Sequence, residues 1–360
     1  MEPLCGKERI ARQLKHLPVD RIGVSEEFWS FTVKNWENQG KLPPGTDAAE
    51  HFKLDLEKCW AFNLRIHPEM ENKVLAEDAE TKTVLDGNGA TLRTYKSHAS
   101  TPEHVHFSIV ERKDWEEKAK PFLTPSPKRI NFEAYRAQRK KCADAGRFFM
   151  WSGVNVFECM HPICGHENML MGMGLDPDWI VEMADVYSDL TIHLMEILFA
   201  AEGKPDGIWF YEDMGFKGRP FMSPDMYQEL IMPAHKKSIA FAHSLGLPVV
   251  MHSCGFVEPL LPHVVEAGID CLQAMEVKAG MDLRRIYLNY GEKIALMGGL
   301  DVRPVASNDL PGIRRELESK IPFVKQNNGY ILHTDHSIPE STEYESYRYF
   351  LETGLELGRY

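Results

Sequence analysis

The stretch 206–255, DGIWFYEDMGFKGRPFMSPDMYQELIMPAHKKSIAFAHSLGLPVVMHSCG, carries a strand, a helix and the next strand in succession. GIWFYE (207–212) and PVVMH (248–252) are short runs dominated by apolar residues. Runs of that length without polar alternation suit strands covered on both faces. Ser223-Pro224 opens the helix between them, near 224–246. The serine hydroxyl can accept from the free N–H groups of the first turn, and proline lacks an N–H where the helix needs none.

The same unit recurs along the chain. Strands are predicted at 148–154 (FFMWSGV), 269–274 (IDCLQA), 293–298 (KIALMG) and 330–333 (YILH), and Asp176-Pro177 opens a helix near 177–201. Six such units, with one or two more N-terminally, predict an α/β fold of the (β/α)8 TIM-barrel type, one domain over residues 1–360. A doubly wound open sheet is the alternative, but no GxGxxG follows a strand. Residues 1–22 read as a helix entering a strand, with Ile10, Leu14 and Leu17 at helical spacing. Residues 36–50 (WENQGKLPPGTDAAE) read as an exposed loop. KTVLDGNGATLRTYKS (82–97) alternates on both sides of Asp86-Gly87-Asn88-Gly89, a hairpin signal. With HVHFSIV (104–110) it predicts a small antiparallel β-hairpin insert over 82–110, its His98, His104 and His106 on a solvated face.

Composition bounds the function. The chain has 360 residues, 43% hydrophobic and 26% charged, which excludes a disordered protein. Lys plus Arg is 41 and Asp plus Glu is 53, so the net charge is −12. This balance argues against nucleic acid and anionic membranes as partners. No apolar stretch approaches the ~18–20 residues of a membrane span. The first residues hold no apolar h-region, so no signal peptide is expected and the location is read as cytoplasmic. Seven scattered cysteines suit a reducing compartment without a disulfide framework.

In such a barrel, chemistry sits where strands end and the following loops begin. His252 ends a strand and Cys254 follows two residues later, on the same side of an extended chain. An imidazole and a thiol converging there are half of a tetrahedral zinc site. ILHTDH (331–336) offers His336 or His333 as a third ligand, and Asp335 as a partner that orients an imidazole. Glu212 and Asp213 end GIWFY as adjacent carboxylates fit for metal ligation or proton transfer. The stretch 158–167 (ECMHPICGHE) is rich in donors but matches no common zinc spacing; Glu158 is its member nearest a strand end. Trp151, Phe210, Tyr211 and Met171 are candidates to line a pocket for an aromatic or other small substrate.

These residues, in this order, resemble the uroporphyrinogen decarboxylase superfamily, which includes zinc-dependent corrinoid methyltransferases. The resemblance runs from LKHLPVDRIGV (14–24) through 206–270 to GGLDVR (298–303) and GYILHTDHSIP (329–339). It implies a distorted (β/α)8 barrel. True uroporphyrinogen decarboxylases carry an arginine-rich Met-Arg-Gln-Ala-Gly-Arg segment after the first strand. Here Gly23–Trp29 contains Glu26 and Glu27 and no arginine, which opposes a polyanionic substrate. The methyltransferase branch holds zinc with His-x-Cys and a later cysteine. His252 and Cys254 match the pair, and the later position falls on His336. One thiolate and two imidazoles leave Zn2+ at a formal +1, near neutral if a carboxylate joins, and the less neutralised ion favours an ether or alcohol oxygen over a thiolate.

The resemblance therefore implies methyl transfer between a small substrate, methoxylated aromatics among the candidates, and the cobalt of a corrinoid (cobalamin) on a partner protein. Zn2+ would sit on His252, Cys254 and His336, with Glu158, Glu212 or Asp213 completing the shell or handling the proton. The alternative is a metal-free decarboxylase of a small acid, anchored by Arg147, Arg219 or Arg303. A non-catalytic module is disfavoured by the density of ligand-type residues at strand ends.

Overall fold

A ring of eight parallel strands is the centre of the computed structural model, which describes residues 2–97 and 102–360. The strands are β1 (Gly23–Val24), β2 (Leu56–Trp60), β3 (Phe148–Val154), β4 (Gly207–Tyr211), β5 (Val249–Ser253), β6 (Cys271–Ala274), β7 (Ala295–Gly298) and β8 (Tyr330–Leu332). They pair in the order β1-β8-β7-β6-β5-β4-β3-β2. Asp55 closes the seam between β1 and β2. Its N–H donates to Val24 O at 2.8 Å, and its side chain accepts from Val24 N at 2.9 Å. Arg9 and Arg21 hold the same carboxylate, at 2.6 and 2.7 Å.

The period of two along each strand sorts side chains into two cores. Leu56, Met150, Trp209, Val250, Cys271, Met297 and Ile331 fill the barrel interior. Ile10 and Leu14, on and just after the helix Gly6–Gln13, plug its N-terminal end. Alternate residues such as Trp151, Phe210, Met251, Leu272 and Leu332 pack outward under the helices. Leu17 stands outside this plug, exposed.

The predicted strands appear with ends shifted by a residue or two. The helix Pro177–Glu202 follows the prediction. The predicted 224–246 helix is broken: a turn at Pro224–Met226 passes through a π-helical turn, Tyr227–Ile231, into Met232–Ser244. Pro233 enters the new helix at a position that needs no N–H. The 36–50 segment is less exposed than its polarity implies. Trp36 lies in the helix Ser30–Asn38, fully buried, and its Nε1 donates to Thr342 O at 2.8 Å.

The insert is a four-stranded antiparallel sheet, Lys73–Glu77, Thr81–Leu85, Ala90–Tyr95 and Glu103–Phe107, and so begins before residue 82. Its first strand is exposed along its whole length, so no burial alternation marks it in sequence. The insert packs on the helix Val156–Leu175, which kinks at Gly165. His104 turns to that helix, its ring 6.0 Å from His161; His106 is exposed, and His98 lies outside the described residues.

Gly165 takes φ +78°, and a Cβ there would stand 2.5 Å from Phe107 Cε2. Gly165→Ala is expected to destabilise the fold by about 1–3 kcal/mol, read from urea denaturation. Phe107→Ala in the same chain should return part of that loss, because it removes the clash and leaves only the backbone strain.

Candidate metal centre and barrel mouth

His252 and Cys254 meet at the C-terminal mouth, with Nε2 3.3 Å from Sγ. Asp213, beyond the end of β4, brings Oδ1 to 3.2 Å from His252 Nε2 and accepts from Cys254 N at 2.8 Å. One ligand atom from each of the three residues lies within 4.8 Å of the others. Gly255 follows with φ +76°, and a Cβ there would collide with the Gly215 backbone at 2.2 Å. Only glycine lets these two loops touch behind the cysteine.

The local electrostatics suit a cation. Burial disfavours charge on His252, but Cys254 and Asp213 hold the imidazole well above the ordinary histidine range. Burial works against the Asp213 carboxylate too, yet His252 pulls it down to about 2. Burial pushes the Cys254 thiol up. A thiol, an imidazole and a carboxylate at one point are a zinc-type donor set. The other ring nitrogen of His252, Nδ1, meets the side-chain Oε1 of Gln273, its register partner on β6. An oxygen at Nδ1 leaves the Nε2 lone pair free to ligate. The donors and this outer contact fit Zn2+.

Other predicted residues are dispersed. His336 lines a separate cavity of about 320 Å³ with Trp29, on whose ring it stacks at 6.4 Å. Lys278 borders both that cavity and the one of about 520 Å³ that ends on Cys254. His333 points into the barrel, 3.5 Å from Gln273 Nε2. Asp335 orients no imidazole: it accepts from Val277 N at 2.7 Å and Val302 N at 2.8 Å, anchoring two turns. Glu212 turns away from the mouth, fully buried, and accepts from Phe157 N, Glu158 N and His235 Nε2. Glu158 stands 3.0 Å from His161 Nε2. Trp151 and Phe210 are sealed in the outer core, and Met171 is exposed on its helix. Tyr211 alone of that set faces the mouth, between Trp60, stacked at 4.8 Å, and the His252 ring at 4.9 Å.

Glu26 and Glu27 do not form the repelling pair expected from sequence. Glu27 is neutralised by Lys58 and accepts from Tyr211 OH at 2.5 Å. Glu26 is buried and accepts from Thr334 N, Thr334 Oγ1 and Glu27 N, with His333 Nδ1 at 3.3 Å. Of the arginines, Arg147 sits before β3, at the far end from Cys254, and pairs with Glu57. Arg303 grips Asp301, and Arg219 lies on a short exposed hairpin.

Burial raises Glu26 to about 8 and lowers His333 to about 4. The folded state therefore holds the Glu26 proton across a range in which the unfolded chain, near 4.5, has released it. That contribution to stability is full below pH 4.5 and is lost as pH rises towards about 8. Raising pH from about 5 to about 8 should cost the wild type on the order of 1–3 kcal/mol more than Glu26→Gln, by urea denaturation. Parallel pH curves for the two proteins would refute it.

The chain belongs to the uroporphyrinogen decarboxylase (URO-D) family, whose model matches residues 156–356, more than half of its length. It is similar to a methylated-thiol–coenzyme M methyltransferase of Methanosarcina mazei, 29% identical over 149 residues. That match covers 41% of this chain and 38% of the relative, so it spans well under half of each. A solved methyltransferase from Methanosarcina mazei shares the fold over 98% of this chain and 99% of its own, with a TM-score of 0.70 at 17% identity. Among the described residues, no helix is long and apolar enough to cross a membrane. All seven cysteines are free thiols, five of them buried.

Proposed function

From membership of the uroporphyrinogen decarboxylase family, we propose that this chain is a methyltransferase that moves a methyl group between a small substrate and the cobalt of a corrinoid on a partner protein. The carrying observation is the convergence of Asp213, His252 and Cys254 at the mouth of a barrel of this family. The methyltransferase relatives support the reaction class.

Asp213, His252 and Cys254 would hold Zn2+, which when bound supplies Lewis acidity at the mouth. Gln273 fixes the His252 ring. Asp213 also ties the Cys254 backbone, so the two ligating loops are set before any ion arrives. His336, assigned by resemblance, stays a candidate for the remaining position and would have to move across from its own cavity. Thiolate and carboxylate together balance the ion's two charges, so charge alone no longer favours oxygen over sulfur as the demethylated atom. Tyr211 and Trp60 present an aromatic face beside His252 for the corrinoid or the substrate.

The reading is tested by zinc content and by methylation of free cobalamin reduced to Co(I), followed spectroscopically with methyl ethers and methyl thioethers as donors. No zinc after supplementation removes the metal. Zinc without transfer from either donor class removes the methyltransferase.

A further inference from the structure

We propose that a cationic recess at the N-terminal end of the barrel, opposite the metal centre, binds a phosphate dianion held by Arg139 and Lys204. The recess has a volume of about 350 Å³ and lies between the helix Phe132–Asp144, the loop 203–206 and the helix Gly6–Gln13. Lys7, Arg136, Arg139, Lys140, Arg147 and Lys204 line it, with Asp206 as the one acid in its wall. Phe149, at the start of β3, puts it at the far end of that strand from the mouth. In a chain of net charge −12, six cations around one hollow reverse the overall sign. A concave wall of one sign focuses the potential and draws the opposite ion.

Four of the six cations are matched by acids. Lys7 meets Asp206 at 2.7 Å, and Asp206 also accepts from Phe149 N at 3.1 Å. Arg147 pairs with Glu57, Arg136 Nε donates to Glu202 at 2.8 Å, and Lys140 reaches Asp144 one turn along its helix. Arg139 and Lys204 meet only backbone carbonyls. Arg139 Nη1 donates to Glu202 O at 3.0 Å, and Lys204 Nζ donates to Leu245 O at 2.8 Å. A carbonyl holds such a group without cancelling its charge, and among the described residues neither side chain has a carboxylate partner. Both are exposed, so a ligand reaches them directly from solvent.

The backbone makes room for Arg139. Gly203 takes φ +81°, and a Cβ there would stand 3.1 Å from Arg139 Nη2. Tyr135 OH donates to Gly203 O at 2.9 Å and fixes the loop against which the guanidinium lies. Nε and Nη2 remain for a ligand, and a guanidinium fork suits two oxygens of one phosphate. The Lys204 ammonium adds a third direction of donation and the second charge. Two spare charges match a dianion, whereas a carboxylate would leave one of them unanswered. Lys140 can join, because its pair with Asp144 is exposed and such pairs are weak. The recess gathers the first helix, the helix before β3 and the loop before β4, so an ion bound there ties three distant parts of the chain and stabilises the folded state.

Calorimetry on the full chain, at about pH 8 where phosphate is a dianion and at fixed ionic strength, tests the site. Inorganic phosphate should bind with a Kd on the order of 1 mM or below, and should raise the melting temperature where chloride does not. Arg139→Gln with Lys204→Gln should weaken phosphate at least about 10-fold. Lys128→Gln with Lys236→Gln removes two charges elsewhere on the surface and should leave the affinity within about twofold. No saturable binding up to about 10 mM overturns the site. An equal loss in both double variants overturns it too, because the attraction would then be to net charge alone. Glucose 6-phosphate distinguishes the source of the dianion. Binding tighter than inorganic phosphate assigns the recess to a phosphorylated small molecule, and equal or weaker binding assigns it to the free ion.

Discussion

Protein carrying His252→Ala or Cys254→Ala is expected to purify with almost none of the roughly one zinc per chain of the wild type, and to transfer no methyl group. Each substitution removes one of three donors whose ligand atoms lie within 4.8 Å of one another. The two that remain cannot hold Zn2+ against buffer. Gln273→Ala leaves all three donors but frees the His252 ring, and should weaken zinc binding about 10–100-fold. His336→Ala separates the geometry from the resemblance. On its own cavity wall, His336 contributes nothing to the trio, so the zinc content should stay near the wild type's. Metal analysis by mass spectrometry reads all four proteins. Zinc lost in His336→Ala would mean that the His336 loop closes onto the ion, and zinc retained in His252→Ala would move the metal elsewhere.

The sequence carried the barrel because each buried strand stands as a compact apolar run, and proline and serine mark helix starts. It carried the HxC pair because extended chain repeats every two residues, so His252 and Cys254 must share a side. The same period, applied more strictly, separates residues that were grouped. Tyr211 and Asp213 face the mouth while Phe210 and Glu212 face the helices. Trp151 was read as a pocket residue, but it occupies an outward position of β3.

Other features had no local signal. Gln273 is a single polar residue in CLQA, and its role comes from register across the sheet, where it stands opposite His252. His161 lies in a donor-rich stretch that matches no metal spacing, and the structure pairs its Nε2 with Glu158 at 3.0 Å instead of bringing it to the trio at the mouth. Glu26 was read as an acid that would meet the substrate, but the β1–β8 seam buries it on Thr334, which is 308 residues away. Long-range pairings of this kind are set by closure of the barrel, not by neighbours in sequence.

Glu212 should prove the most costly carboxylate to remove from the fold, although it touches no metal. Its oxygens accept from Phe157 N at 3.2 Å and Glu158 N at 3.0 Å, the first free N–H groups of the helix Val156–Leu175. The helix N-terminus is positively polarised, and a buried carboxylate there both caps and neutralises it. His235 Nε2 donates to the same group at 2.6 Å, and Tyr227 OH donates to His235 Nδ1 at 2.8 Å. Glu212→Ala would leave two backbone donors and an imidazole buried with no acceptor, so a loss of about 3–5 kcal/mol is expected by urea denaturation. Glu212→Gln keeps the volume but turns an NH2 towards one of these donors, for a loss of about 1–3 kcal/mol. The zinc content of folded Glu212→Gln should stay near the wild type's, because Asp213 reaches the metal from the opposite side of the strand. If Glu212→Gln lost zinc and kept its stability, the two adjacent carboxylates would have to exchange roles.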